Sequence, residues 1–405
     1  MKKIVVAYSG GLDTSVMLHW LKATYKCPIL AFIADVGQGE DLEAIEAKAR
    51  KTGAEKVVIS DLRETFVREF VFPAMQSHAL YEGEYFMGTS LARPVIAREQ
   101  IEVARRWGAD AVSHGSTGKG NDQVRFELTY QALAPALEIL APWRLWEFKG
   151  RTDLIRYAQA NGIPVTSTAE KPYSIDQNLM HTSYEGGILE DPWEGPPEDI
   201  FLRSVSPESA PDAPAELTIG FEQGVPATLD GKALGPVEML EQLNLVAGAN
   251  GVGRVDLVEN RMVGMKSRGV YETPGATVLH KAHRALESLT LDREVQHLKD
   301  DLGPRIAELI YYGFWFAPEM QLLLELVAGS QKRVTGDVRV RLYKGNCIIA
   351  GRRSPFSLYQ PAYATFEEDE VYSQSDAEGF IRLQGLRLKL ASLLRERSEV
   401  SRTSD

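Results

Sequence analysis

Through the first half of the chain, short apolar runs rich in β-branched residues alternate with longer stretches whose apolar positions repeat at helical spacing. The runs Ile4 to Tyr8, Ile29 to Ala34, Lys56 to Ile59, Ala111 to His114 and Ile139 to Pro142 have the length of strands. The most apolar of them are continuous rather than alternating, as strands buried on both faces are. Helices are expected at Val16 to Thr24, Leu42 to Thr52, Ala92 to Trp107, with Pro94 in its first turn, and Gln123 to Ala134. Arg63 to Tyr81 is mostly helical and is kinked or divided at Pro73. A further helix opens at Thr152 or Asp153, runs to Asn161 and stops at Gly162. This alternation predicts a parallel sheet covered on both faces, with ligands bound outside the carboxyl ends of its strands.

From about Glu170 the alternation stops, and Lys171 to Asn178 opens a less regular region. Gly195 to Pro214, rich in proline and acidic residues, reads as a long excursion. Strands are expected at Glu216 to Glu222 and on either side of Asp230-Gly231, a hairpin turn. Val237 to Val246, Thr277 to Leu289 and Asp292 to Tyr312 read as helices, and Val255 to Met265 as a mixed stretch. Val338 to Tyr343 and Cys347 to Arg352 form a second hairpin around Lys344-Gly345-Asn346. This half reads as a separate α+β domain. Beyond a polar segment, Ile381, Leu383, Leu386, Leu390, Leu393 and Leu394 draw an apolar stripe along a basic helix, Gly379 to Arg397. Such a helix packs on its own domain or on a partner subunit.

Three loops at strand ends carry the candidate chemistry. In the first, Ser9-Gly10-Gly11 breaks the opening strand just before a helix that Asp13, Thr14 or Ser15 can cap. Free N–H groups, the positive end of a helix dipole and three hydroxyls, from Ser9, Thr14 and Ser15, make a site for phosphate. It lacks the Gly-Lys-Ser/Thr of a Walker loop and the G-x-G-x-x-G of a dinucleotide fingerprint. The second loop follows Ala34, whose backbone suits an adenine edge. The third, Gly115 to Asp122, is glycine-rich and polar and reads equally as a flexible surface loop, but its place at the carboxyl end of a strand favours function and would aim Asn121, Asp122 and Arg125 at the same crevice.

The chain has 405 residues, room for two or three domains, with 44% hydrophobic and 25% charged residues. A net charge of −11 argues against a broad nucleic-acid-binding face. Cys27 and Cys347 are the only cysteines, which opposes a disulfide framework, a zinc site or a dithiol centre and fits a reducing compartment. Met1-Lys2-Lys3 runs directly into a strand without a signal peptide, and no apolar run spans a membrane, so a cytoplasmic protein is expected. His280 and His283 lack a third ligand nearby in sequence and read as a surface pair rather than a metal site. Trp315, between Phe314 and Phe316, reads as core or interface.

The S-G-G-x-D-T/S pattern of the first loop resembles the pyrophosphate loop of N-type ATP pyrophosphatases. Over nearly its whole length the chain resembles the bacterial argininosuccinate synthase family. The matching segments are AYSGGLDTS at Ala7 to Ser15, EYFMGTSLARP at Glu84 to Pro94 and HGSTGKGNDQVRFE at His114 to Glu127, then KPYSIDQNLMHTSYEGGILED at Lys171 to Asp191 and VENRMVGMKSRGVYETPG at Val258 to Gly275. The resemblance implies an α/β fold of three parts. These are a Rossmann-like nucleotide-binding domain over 1–168, a synthetase domain over 169–362 and a C-terminal oligomerisation helix over 363–405 of a homotetramer. It implies a ligase that joins citrulline and aspartate at the expense of ATP, with Mg²⁺ accompanying the nucleotide. ATP contacts are implied at Ala7, Tyr8, Ser9, Gly10, Gly11, Leu12, Asp13, Thr14, Ser15, Ala34 and Gly115. Citrulline contacts are implied at Tyr85, Ser90, Asn121, Arg125, Ser174, Ser183, Glu259 and Tyr271, and aspartate contacts at Thr117, Asn121 and Asp122. Asp13, Asp122 and Arg125 are the expected catalytic set, although Asp13 serves equally as a helix cap. Two rivals share the first loop. A tRNA-thiolating enzyme is opposed by the acidic charge and the distant cysteines, and a non-catalytic nucleotide-binding module leaves the polar residues of the second half without a task.

Overall fold

The computed structural model describes residues 3–118, 120–164, 173–365, 371 and 373–402, with side chains to residue 397. The expected domain boundary at 168/169, and with it Lys119, Lys171 and Pro172, lies outside these residues. The chain divides into two compact units, Met1–Phe356 and Ser357–Asp405.

In the first unit, β1 (Ile4–Ala7), β2 (Ile29–Asp35), β3 (Lys56–Asp61), β4 (Ala111–Ser113) and β5 (Glu138–Leu140) form one sheet in the order β3-β2-β1-β4-β5. Every pairing in it is parallel. The continuous apolar runs follow from burial on both faces. Ile4 and Val6 pack with the helices Leu12–Tyr25 and Arg151–Ala160, while Val5 joins the larger core on the other face, against the helix Gly88–Trp107. Strand order reverses direction between β1 and β4, and the chain leaves both strands at the same edge of the sheet. That is the crevice where ligands of open parallel sheets bind.

The second half is antiparallel. β6 (Ser174–Gln177) and β7 (Thr182–Glu185) are followed by β8 (Ala215–Glu222), β9 (Val225–Leu229) and β10 (Lys232–Ala233). Then come β11 (Arg254–Asn260), β12 (Lys266–Glu272), β13 (Gly336–Tyr343) and β14 (Asn346–Arg353). They sort into two sheets, β10-β9-β8-β13-β14 and β11-β12-β7-β6. The Asp230-Gly231 turn has both residues at positive φ, as the hairpin signal required.

Several local expectations are corrected. Val255 to Met265 is no mixed stretch. It is the β11 strand and the turn into β12, masked in the sequence because much of β11 is solvent-facing and carries Arg254, Asp256 and Glu259 among its apolar residues. Arg63 to Tyr81 ends earlier, at Gln76, and is interrupted by a π-helical turn, Val67–Val71, ahead of Pro73. The helix expected from Ala92 begins at Gly88. The first-loop helix is capped by Gly11 without a side-chain bond, and Gly150 rather than Thr152 or Asp153 caps the helix Arg151–Ala160. The histidine pair is not on the surface. His283 is fully buried, and His280 stands over the ring of His78, with centroids 5.0 Å apart. Trp315 is buried and stacked on Phe70. Both cysteines are buried, and burial pushes the Cys347 thiol up to about 11.

In the second unit the helix Asp376–Arg402 exposes Phe380, Ile381, Leu383, Leu386 and Leu390.

Candidate active site

The first loop is built around hydroxyls. Beyond β1 the Tyr8 hydroxyl bonds the Ser15 Oγ at 3.0 Å, and the Ser9 and Thr14 hydroxyls lie 3.2 Å apart. Gly10 turns through φ +77°, a conformation that favours glycine, and Gly11 leads into the helix. With no side-chain cap, the first N–H groups of that helix are left for an anion. Leu12 is buried beneath them, and Asp13 stands in the first turn. Burial raises the Asp13 carboxyl pKa, against lowering by its own backbone N–H and by Arg151. Lys48, absent from the sequence reading, donates to the Gly10 carbonyl at 2.5 Å.

The two neighbouring loops close on this one. At the end of β2 the Ala34 carbonyl accepts the Gln38 amide at 2.7 Å. At the end of β4, Gly115 lies so close to the first loop that a Cβ would sit 2.8 Å from Thr14 Cγ2. The eleven residues expected at ATP thus lie on three adjoining strand ends, Ala7 to Ser15 after β1, Ala34 in β2 and Gly115 after β4.

Next to these loops a charged chain joins the two halves. The helix Asp122–Leu133 starts with Asp122, whose Oδ2 accepts from Arg93 Nε at 2.9 Å and whose Oδ1 accepts from Arg125 Nη1 at 2.8 Å. Burial would raise the Asp122 carboxyl, but the Arg93 and Arg125 guanidinium groups outweigh it and hold the group below its ordinary value. Arg93 also bonds Asp176 of β6 through Nη2, and Asp176 accepts the Thr89 hydroxyl at 3.1 Å. Thr89 in turn meets the buried His181, whose pKa burial lowers to about 3. Arg125 directs Nε to the Tyr311 carbonyl at 2.9 Å and lies 5.0 Å over that ring, while Asn121 bonds the Tyr311 hydroxyl at 3.0 Å.

Tyrosines wall the remaining side. Tyr85 stacks on Tyr271 with centroids 4.1 Å apart, and the Tyr271 hydroxyl donates to Glu259 Oε1 at 3.2 Å. Tyr81 lies parallel to Tyr311 at 3.7 Å. Tyr271 is paired with Ser183 across β12 and β7, and Ser183 with Asp176 across β7 and β6. Burial, then the Glu185 carboxylate, raise Glu259 to about 6. Ser90 Oγ, Asn121 Oδ1 and Glu259 Oε2 are buried and have no protein partner, a condition that costs free energy unless a ligand supplies the bond.

Asn121, Asp122, Arg125, Tyr85, Tyr271, Glu259 and Ser183 are therefore tied into one network of contacts, and Ser90 follows Thr89 of that network on the same helix. Thr117 and Ser174 are exposed at its rim. The sequence reading missed Arg93, Asp176, Glu185 and Tyr311. Arg93, Asp176 and Glu185 lie inside the matching segments, where their partners were invisible, and Tyr311 lies at the end of a helix read only as structural.

A family model described as the argininosuccinate synthase N-terminal HUP domain matches residues 3–164, and one described as the argininosuccinate synthase C-terminal domain matches residues 173–391. A protein of Syntrophus aciditrophicus named argininosuccinate synthase is 61% identical over 395 residues, covering 97% of this chain and 98% of that one. Proteins of the same name from Syntrophobacter fumaroxidans and Leptospira biflexa are 58% and 59% identical, and the alignments cover 98% and 96% of this chain and 99% and 96% of theirs. With both models matched and identity sustained almost end to end, the chain belongs to the argininosuccinate synthase family.

Proposed function

We propose that this protein joins citrulline and aspartate into argininosuccinate with ATP, releasing AMP and diphosphate through a citrullyl-AMP intermediate. The observation that carries the assignment of residues is the set of unmatched buried atoms on Ser90, Asn121 and Glu259, set in a tyrosine-walled site beside a helix N-terminus. The ureido oxygen of citrulline attacks the α-phosphorus, and diphosphate leaves. Negative charge growing on that leaving group meets the N–H groups and hydroxyls of Ser9 to Ser15, oriented before the reaction begins. The amine of aspartate then attacks the activated carbon and expels AMP. Glu259 suits the α-ammonium of citrulline. Arg125, with Nε and Nη1 engaged by Tyr311 and Asp122, keeps a guanidinium nitrogen for a substrate carboxylate. Thr117, Asn121 and Asp122 would hold aspartate, and Ser174 and Ser183 would complete the citrulline site.

Mg²⁺ suits the first loop by its chemistry. Asp13, Ser9 and Thr14 offer hard oxygens, and the raised Asp13 carboxyl gains from a nearby cation. When bound, the ion would supply charge neutralisation on the triphosphate. Two sequence-distinct parts, 1–168 and 169–362, build one site in this reading, and the tail 363–405 assembles a homotetramer. No helix of the described residues is long and apolar enough to cross a membrane, and a reducing, cytoplasmic setting suits the chain.

The test is release of AMP and diphosphate from Mg-ATP with each amino acid present or omitted. Turnover that needs both, with argininosuccinate as product, is expected. AMP formed without citrulline would keep the nucleotide loop and reassign the acceptor, with tRNA tried first.

A further inference from the structure

Away from the substrate site, between the first sheet's connection and the helices of the second half, lies a buried polar cluster that the chemistry above leaves without a task. His78 follows the helix Phe72–Gln76 at φ +52°. His283 and Glu287 face it from the helix Pro274–Thr290, and Lys299 from the helix Arg293–Tyr311. Side chains of all four residues are almost wholly buried. Lys299 Nζ lies 3.0 Å from Glu287 Oε2 and donates to the Gln76 carbonyl at 2.6 Å. His78 Nε2 lies 2.8 Å from Glu287 Oε2 and 3.1 Å from His283 Nδ1.

One proton assignment satisfies every contact. Arg284 donates to His78 Nδ1 at 2.9 Å, so His78 carries its proton on Nε2 and gives it to Glu287. His283 Nε2 donates to Gln331 Oε1 at 2.8 Å, which leaves its Nδ1 bare to share the single His78 Nε2 proton with Glu287, and the Gln331 amide donates to Glu287 Oε1 at 2.8 Å. Both imidazoles are neutral in this arrangement. Burial, which holds His78 below its ordinary value and His283 at about 4, agrees. His78, His283 and Glu287 offer ligand atoms within 4.8 Å of one another. The ammonium of Lys299 already sits against that carboxylate, and a metal cation there would meet it as a like charge.

The cluster stands at the root of the tyrosine wall. Lys299 holds Gln76, and four residues on in the same helix Gly303 lets the turn come closer still, since a Cβ there would lie 3.1 Å from the Ser77 carbonyl oxygen and 3.4 Å from that of His78. From this anchored turn the chain runs at once to Tyr81 and Tyr85. The helix that anchors it ends at Tyr311, the ring on which Tyr81 stacks and over which Arg125 lies. We propose that the His78–Glu287–Lys299 cluster, with the bare Gly303 beside it, is a positioning element that sets the Tyr81–Tyr85 loop against Tyr311 and so fixes the citrulline side of the site. The inference rests on the function proposed above.

Three variants of the full chain test it: Lys299→Met, His78→Asn, which keeps a residue tolerant of positive φ, and Gly303→Ala. The last adds a better helix former and pushes the turn while leaving the charged side chains of the cluster in place. The expected result is a citrulline KM raised about tenfold in variants that keep the parent Tm within a few degrees, with the ATP KM unchanged. Restoring the turn by combining Gly303→Ala with Ser77→Gly is not expected to help, because the obstructing atom is a backbone oxygen. Folded variants with the parent citrulline KM would overturn the proposal, as would KM values for ATP, citrulline and aspartate that rise together. A parent that forms no argininosuccinate would instead overturn the assigned function, and the positioning role at a citrulline site would fall with it.

Discussion

Glu259 is the residue whose environment makes the sharpest statement. Burial and the Glu185 carboxylate lift its pKa from 4.5 to about 6. Between those values the folded chain holds a proton that the unfolded chain has released, so this residue lowers stability as pH rises through the window. Binding runs the other way in the proposed site, where the citrulline ammonium would pair with the ionised carboxylate. The citrulline KM is therefore expected to fall as pH rises through about 6. Glu259→Gln should flatten that limb and raise KM about tenfold to a hundredfold, as read from initial rates across pH. A limb that survives the substitution would assign the titration elsewhere. At this scale the sequence was legible where a motif named a residue and opaque where a contact did. Arg93 and Asp176 meet across 83 residues, and Arg125 and Tyr311 across 186. Spacing along the chain carries no trace of such pairs.

Among the elements, the parallel sheet was readable because burial on both faces leaves apolar runs with no polar interruption. The three candidate loops were readable with it, since each follows a strand run at its carboxyl end. The close approach at Gly115 was not. Gly115→Ala should force Thr14 of the first loop away from the loop that follows β4. The expected outcome is a higher ATP KM with citrulline and aspartate KM values near the parent, measured by steady-state kinetics. The antiparallel half was harder to read, because half-exposed strands such as β11 carry charges on their outer faces. Its long excursion is nevertheless fastened at one buried point. Glu272 of β12 accepts from the backbone N–H groups of Leu202 at 2.8 Å, Arg203 at 3.1 Å and Ser204 at 2.7 Å, and from the hydroxyls of Ser204 and Tyr184 at 2.6 and 2.5 Å. Glu272→Gln replaces one acceptor oxygen by a donor facing those donors. A loss of about 2–4 kcal/mol in denaturant unfolding is expected, with faster proteolysis between residues 195 and 214.

For the whole molecule, the tail helix is the element that bears on assembly. Its helix exposes Phe380, Ile381, Leu383, Leu386 and Leu390, apolar area that water disfavours. If this face assembles copies, Leu383→Asp combined with Leu390→Asp should lower the mass measured by light scattering while the first unit keeps its circular dichroism. An unchanged mass would remove the tail from the assembly. The stripe was visible in sequence, but the identity of what covers it was not, because a periodic apolar face specifies burial and leaves the partner open. The two sealed cysteines have a practical consequence of a different kind. Among the described residues no thiol reaches the surface, and Cys347 is further quieted by a pKa of about 11. A cysteine introduced at an exposed point on the tail or at the rim of the tyrosine loop would then be the fastest sulfur to react with a maleimide dye. The unmodified chain is thus already a nearly silent background for fluorescence, and movement at either place can be followed without first removing its native thiols.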